Sequence, residues 1–160
     1  MPRRVTVTYI DPVDSPYSNH ATERWATILC CIVVSQADTP TVSAWARASG
    51  LSVGAIRTWC RAAGVTVKTS LDFGRLFRAV AHANNEGAWN VLESMDIVDP
   101  RTVERLLARG GLTGLCEGPV ILPELFIARQ NYIRSSRHLG AVKSALETRL
   151  RRERNMRLTT

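Results

Sequence analysis

What this chain lacks narrows it first. Its longest strongly apolar run, Ile28 to Val34, falls well short of the roughly 20 residues that span a bilayer. The N-terminus, MPRRVTVTYIDP, is basic but has neither an apolar core nor a small-residue cleavage site, so it does not read as a secretion signal. Cysteine is scarce: Cys30, Cys31, Cys60 and Cys116 form no C-x-x-C pair. They read as small apolar residues of a reduced interior. His20, His82 and His138 are scattered singles without ligand spacing, read as surface or capping residues, and no metal or cofactor is expected. There is no Gly-rich phosphate loop, nucleophile elbow or internal repeat either, so an enzyme is not expected. A soluble, cytoplasmic protein is.

What is present is ordinary globular composition, 45% apolar and 22% charged over 160 residues, enough for one domain with a sizeable core. The net charge of +7 is unevenly placed. Residues 1–127 hold 12 basic and 12 acidic side chains, which cancel, whereas residues 128–160 hold nine basic against Glu147 and Glu153. Within the neutral part, Pro40 to His82 carries Arg47, Arg57, Arg61, Lys68, Arg75 and Arg78 against Asp72 alone. Residues 83–112 are net acidic. Two basic blocks flanking an acidic one suggest an anionic partner touched in two places; a solvated basic face is the plainer alternative.

Hydrophobic periodicity predicts an all-α fold. A short strand is allowed where Val5, Val7 and Tyr9 alternate with threonines, inside an N-terminal arm of residues 1–18. A first helix is expected from Ala21 to Gln36, capped by Ser18 or Asn19, with Trp25, Ile28, Leu29, Ile32 and Val33 on one stripe. Two short helices follow, Val42 to Ser49 and Val53 to Ala63. A longer one is expected from Leu71 to Ala83, with Ser70 as cap and Arg75 and Arg78 on its outer side. A helical pair between Ala88 and Arg109 and a final helical region from Leu125 to Arg154, divided at Gly140, complete the reading. Residues 19–112 are expected to form one domain and 113–160 a basic helical extension.

The segment TVSAWARASGLSVGAIRTWCRAAG, residues 41–64, meets the requirements of a helix-turn-helix at one mutual spacing. Ala46 is small where two helices would cross, Gly50 can take the positive φ of the turn, and Ser52 caps the second helix. Leu51 packs under the turn, and Ile56 and Trp59 face inward with Trp45. The outer face is then Val53, Gly54, Arg57, Thr58 and Arg61, with Ser52 at its start and Lys68 just beyond. Two guanidiniums, a hydroxyl, an apolar group and a glycine permitting close approach suit a base edge and a phosphate.

Thr41 to Ala83 resembles the first half of an AraC/XylS-type DNA-binding domain, on Ala46, Gly50, Ser52, Ile56, Arg57, Gly64 and then Arg75-Leu76 with Ala79. The resemblance implies that Val53 to Arg61 enters the major groove of double-stranded DNA, that Ala21 to Gln36 is the family's first helix, and that a second helix-turn-helix follows. IVDPRTVERLLARGGL, residues 97–112, is the candidate remnant, with Asp99 as cap and Val103 and Leu106 inward. Glu93, Ile97 and Glu104 stand where that motif has Ala46, Gly50 and Arg57 counterparts, so packing or a phosphate role through Arg101 and Arg105 fits it better. The function this implies is sequence-specific DNA binding in transcriptional regulation, in a nucleoid-associated protein. The alternative is an α-helical interaction or assembly module whose helix-turn-helix packs only against protein. In the basic tail, Leu139, Val142, Leu146 and Leu150 share one face, which suits a docked helix, a homodimer seam or a phosphate-gripping arm.

Overall fold

A computed structural model describes residues 16–159, with side chains from Asn19 onward. The described residues are all-helical: α1 Pro16–Val33, α2 Val42–Ser49, α3 Val53–Ala63, α4 Val67–Glu86, a 3₁₀ turn Val91–Ser94, α5 Pro100–Arg109, α6 Pro123–Arg129 and α7 Ser136–Leu158. The strand expected around Val5–Tyr9 lies outside them. No helix among the described residues is long and apolar enough to cross a membrane.

The centre of the fold is α1, which packs against α2, α3, α4 and α7. Contact on that many sides explains why its buried set is wider than one stripe. Ala26 and Cys30 are enclosed together with Trp25, Ile28, Leu29, Ile32 and Val33. Both tryptophans of the inner core satisfy their indole N–H groups, as buried polar atoms must. Trp25 donates to Ser70 Oγ at 2.9 Å and Trp45 to the Ile28 carbonyl at 3.0 Å. Where α4 crosses α1, Gly74 removes the side chain altogether. A Cβ there would stand 3.1 Å from methyl groups of Ile32 and Leu29, so these side chains would have to give by a few tenths of an ångström to admit one.

The chain's three phenylalanines form one stack that fastens α6 to α4. Phe77 and Phe126 lie nearly parallel with centroids 5.5 Å apart, and Phe73 closes the group at 5.7 and 5.8 Å. Buried Gln130 then holds the α6–α7 connection. Its Nε2 donates to the Ile127 and Ile133 carbonyls, and its Oε1 accepts from the Ile133 amide. Leu115, Phe126, Ile133 and Val142 belong to the same apolar cluster as α1–α4, so the core runs on past residue 112.

Several boundaries differ from the sequence expectation, each for a local reason. α1 starts at Pro16, a residue suited to a first helical turn, and ends at Val33, so Ser18 and Asn19 lie inside it rather than capping it. α4 starts four residues early, because Thr66 takes the cap, accepting from the Thr69 amide at 3.1 Å. Ser70 therefore lies inside the helix, at the end of its first turn, is buried, and donates its hydroxyl back to the Thr66 carbonyl. Only one 3₁₀ turn and α5 stand where a helical pair was expected after Ala88. Gly140 does not divide the last helix; the break falls at Gln130–Ser135, and Gly140 lies inside α7.

Three polar residues expected at the surface are buried. Arg75 is clamped bidentately by Asp38, with Nε–Oδ1 at 2.9 Å and Nη2–Oδ2 at 2.6 Å, tying α4 to the α1–α2 link. Arg78 is only 2% exposed. It donates to the carbonyls of Ser35 and Gln36, just beyond the C-terminal end of α1, where the helix dipole favours a cation, and to that of Ser94 at the end of the 3₁₀ turn. His138 is buried edge-on against Trp25, and its Nε2 lies 2.6 Å from the Ala63 carbonyl at the end of α3. Asp72, the lone acid between Pro40 and His82, is enclosed as well, with Arg109 at 3.0 Å and Lys68 at 3.4 Å from Oδ2. Neither approach has hydrogen-bond geometry, so these pairs act by charge alone.

Candidate nucleic-acid interface

The surface singled out by the sequence is built from backbone geometry outward. α2 ends at Gly50 in the left-handed region, φ +66°, where a residue with a Cβ would be strained. The Leu51 amide reaches back to the Ala46 carbonyl at 3.0 Å, and the Gly50 amide to that of Arg47 at 3.2 Å, which closes the end of α2. Ser52 then opens α3, its hydroxyl oxygen accepting from the Ala55 amide at 3.1 Å. Three residues, Gly50–Leu51–Ser52, thus reverse the chain between two short helices. Ala46 and Trp45 are buried beneath the turn, with Leu51 half-buried beside them.

The inward side of α3 is Ile56, Cys60 and Ala63. Burial pushes the Cys60 thiol up from its ordinary range, countered in part by its contact with Ser70 Oγ. Trp59, expected inside, is half-buried on the flank. The register of the motif is unchanged by this. Trp59 leans towards α1, where the His20 ring meets it edge-on at 5.9 Å and the Arg24 guanidinium stands 5.8 Å from the indole centroid. His20 and Arg24 were not singled out from the sequence. The signal that could have found them is their i, i+4 spacing on the polar side of α1.

On the outward side, Ser52, Gly54, Arg57, Thr58 and Arg61 are exposed together, with Val53 half-buried at the start of the helix. Arg57 and Arg61, one turn apart, enter none of the ion pairs among the described residues. The Thr58 hydroxyl donates to the Gly54 carbonyl at 2.9 Å, so it offers only lone pairs outward, suited to an amino group on a base edge. α3 carries no acidic residue. Lys68 belongs to the next helix, and its charge is shared with Asp72, 3.4 Å away, although its side chain is 69% exposed.

The candidate second motif is present only in its last helix. Asp99 caps α5, accepting from the Arg101 amide at 3.0 Å, and Val103 and Leu106 are buried as expected. Arg101, Glu104 and Arg105 are exposed side by side, and Arg109 is drawn in to Asp72. In the tail, Leu139, Val142 and Leu146 pack towards the core while Leu150 is half exposed, and the arginines from Arg151 to Arg157 are at the surface.

Compared with known proteins, the chain matches no family model, no curated protein and no solved structure.

Proposed function

We propose that the protein binds double-stranded DNA sequence-specifically, with α3 of the helix-turn-helix in the major groove, and acts in transcriptional regulation. One observation carries the reading. The outward face of α3 collects Arg57, Thr58 and Arg61 around Gly54 with no acid on the helix, behind a glycine turn that fixes its angle to α2. A guanidinium on that face can make the bidentate contact to guanine O6 and N7, its neighbour can hold phosphate, and Gly54 admits the backbone close to the groove wall. The likeness of Thr41–Ala83 to an AraC/XylS-type domain points the same way, and the arginines of α7 supply a sequence-independent attraction for the duplex.

A second reading rests on a different surface. Trp89 is 86% and Val98 97% exposed, with Leu92 near them in the chain and Glu93, Asp96 and Asp99 interleaved. Such an apolar, acidic stretch suits a protein partner.

The experiment that tests the first reading is a salt titration of the chain with random duplex, followed by selection of sites from a random DNA pool. Duplex affinity that falls steeply with salt, and a selected consensus that loses one position in Arg57→Ala, are the expected results. No duplex binding at low salt refutes it and favours the interaction module.

A further inference from the structure

A helix lying in a major groove has a sugar–phosphate backbone along each side, so fixing its orientation there takes a cation on both flanks. Successive residues of α3 are set about 100° apart around its axis. Turning one way from Thr58, in the middle of the exposed face, Arg61 stands at about 60° and Arg57 at about 100°. Turning the other way, Ala62 stands at about 40°, Ala55 at about 60° and Trp59 at about 100°. α3 therefore puts both of its cations on one flank and leaves the other to two alanines and an indole.

The neighbouring helix supplies what that flank lacks. Arg24, exposed on α1, has its guanidinium 5.8 Å from the Trp59 ring centroid, and His20, one turn earlier, meets the same indole edge-on at 5.9 Å. The indole is thereby held from two successive turns of α1 and offers a flat seat to the guanidinium. A guanidinium stacked on a ring keeps the N–H donors along its edge for an oxyanion. Arg24 enters none of the ion pairs among the described residues. Its acidic neighbour Glu23 is turned elsewhere and lines the groove between α1 and α7. The short side chains of Ala55 and Ala62 leave room for a backbone to come up to Arg24.

We infer that Arg24, seated on Trp59, contacts a backbone phosphate of the duplex on the flank opposite Arg57 and Arg61, so that α3 is gripped from both sides. The contact rests on the reading of α3 as a major-groove helix and adds to it a phosphate partner from α1, with Trp59 as the positioning residue. A phosphate held there sets the roll of α3 in the groove without carrying sequence information.

The test uses the full chain and the duplex selected for it. Arg24→Ala should lose about three- to tenfold in affinity on selected and random duplexes alike and flatten the logarithmic salt slope by about one unit, with the selected consensus unchanged and the melting temperature nearly so. Arg24→Lys should restore the slope but not all of the affinity, since an ammonium keeps the charge without the flat seat. Duplexes in which one phosphate at a time is replaced by an uncharged methylphosphonate locate the contact. One replacement should weaken the wild-type chain and leave Arg24→Ala unaffected, and it should differ from the replacement to which Arg61→Ala is blind. Trp59→Leu should weaken binding by the wild-type chain and add nothing to Arg24→Ala. If that variant does not fold, Arg24→Ala and the methylphosphonate series decide alone. A salt slope that stays the same in Arg24→Ala, or a series with no position that the variant ignores, overturns the contact. Where Arg57→Ala still loses one position of the consensus, the α3 reading then stands without it. A wild-type chain that binds no duplex overturns the proposed function and this contact with it.

Discussion

Replacing Arg78 by alanine removes the most enclosed cation described in the fold and strips hydrogen-bond partners from three main-chain carbonyls at once. Its guanidinium holds Ser35 at 2.8 Å, Gln36 at 2.5 Å and Ser94 at 3.0 Å, with Asp96 at 3.4 Å on the solvent side. A hydrogen bond to a charged group contributes about 1.5–3 kcal/mol, but the contributions do not add, because water reaches some of the freed carbonyls once the side chain is gone. Breaking a buried charged network by removing one partner destabilises by about 3–5 kcal/mol, and we expect Arg78→Ala to fall in that range. With a urea slope of about 2 kcal/mol per molar, the midpoint of unfolding drops by roughly 1.5–2.5 M. Arg78→Lys keeps the charge but not the three-way fork and should recover less than half of the loss. Arg57→Ala is the paired control. Its side chain is exposed, so stability should move by no more than about 0.5 kcal/mol, while affinity for the selected duplex falls by about 1–3 kcal/mol. A urea midpoint that shifts by less than 0.5 M in Arg78→Ala, a threshold set at about 1 kcal/mol by that slope, would refute the assignment of Arg78 to the core.

The remaining expectations concern packing, pH and the tail. Gly74→Ala should destabilise the fold by about 1–3 kcal/mol, since its Cβ meets Ile32 and Leu29 at 3.1 Å; an unchanged melting temperature would mean that α1 and α4 can part without loss. Burial, with the neighbouring Cys31, pushes the Cys30 thiol up to about 12, and burial together with the Asp72 carboxylate pushes the Tyr132 phenol up to about 12. Both groups are thus neutral when folded at a pH where the unfolded chain ionises, from about 8.5 for the thiol and about 10 for the phenol. Their contribution is complete below those values and is lost as pH rises through about 12, so melting temperature should decline from about pH 8.5 upward, less steeply in Cys30→Ala; a flat profile to pH 11 would contradict the burial of both groups. Deleting Arg151–Thr160 should weaken selected and random duplexes by a similar factor and flatten the salt dependence by about one unit per phosphate contact removed. A shift from dimer to monomer in solution, with paired half-sites penalised far more than single ones, would assign the tail to dimerisation instead.

Much of the fold was written in short stretches of sequence, because the interactions that specify it are short. Gly50 ends α2 and Ser52 opens α3 through bonds spanning three to five residues; Asp99 and Pro100 start α5 in the same way. The outer face of α3 follows from that register and from the helical period alone, which is why Gly54, Arg57, Thr58 and Arg61 are legible in the sequence as one exposed set. The stripe on α1 was legible for the same reason, although not the extent of its burial, which depends on how many helices surround it.

Only the tertiary structure decided which cations are free and which are enclosed. Arg57 and Arg78 look alike in sequence, each on a polar stretch of an amphipathic helix. What separates them is that Arg78 meets carbonyls of residues 16–43 positions away, and no local pattern records where those carbonyls will lie. His138 finds its acceptor 75 residues back at the end of α3, and Trp59 is held at the flank by Arg24 and His20 on α1. Propensity and capping act along the chain and fix the elements; the solvation of a charge depends on what the folded chain brings against it, and that is settled only when the helices pack.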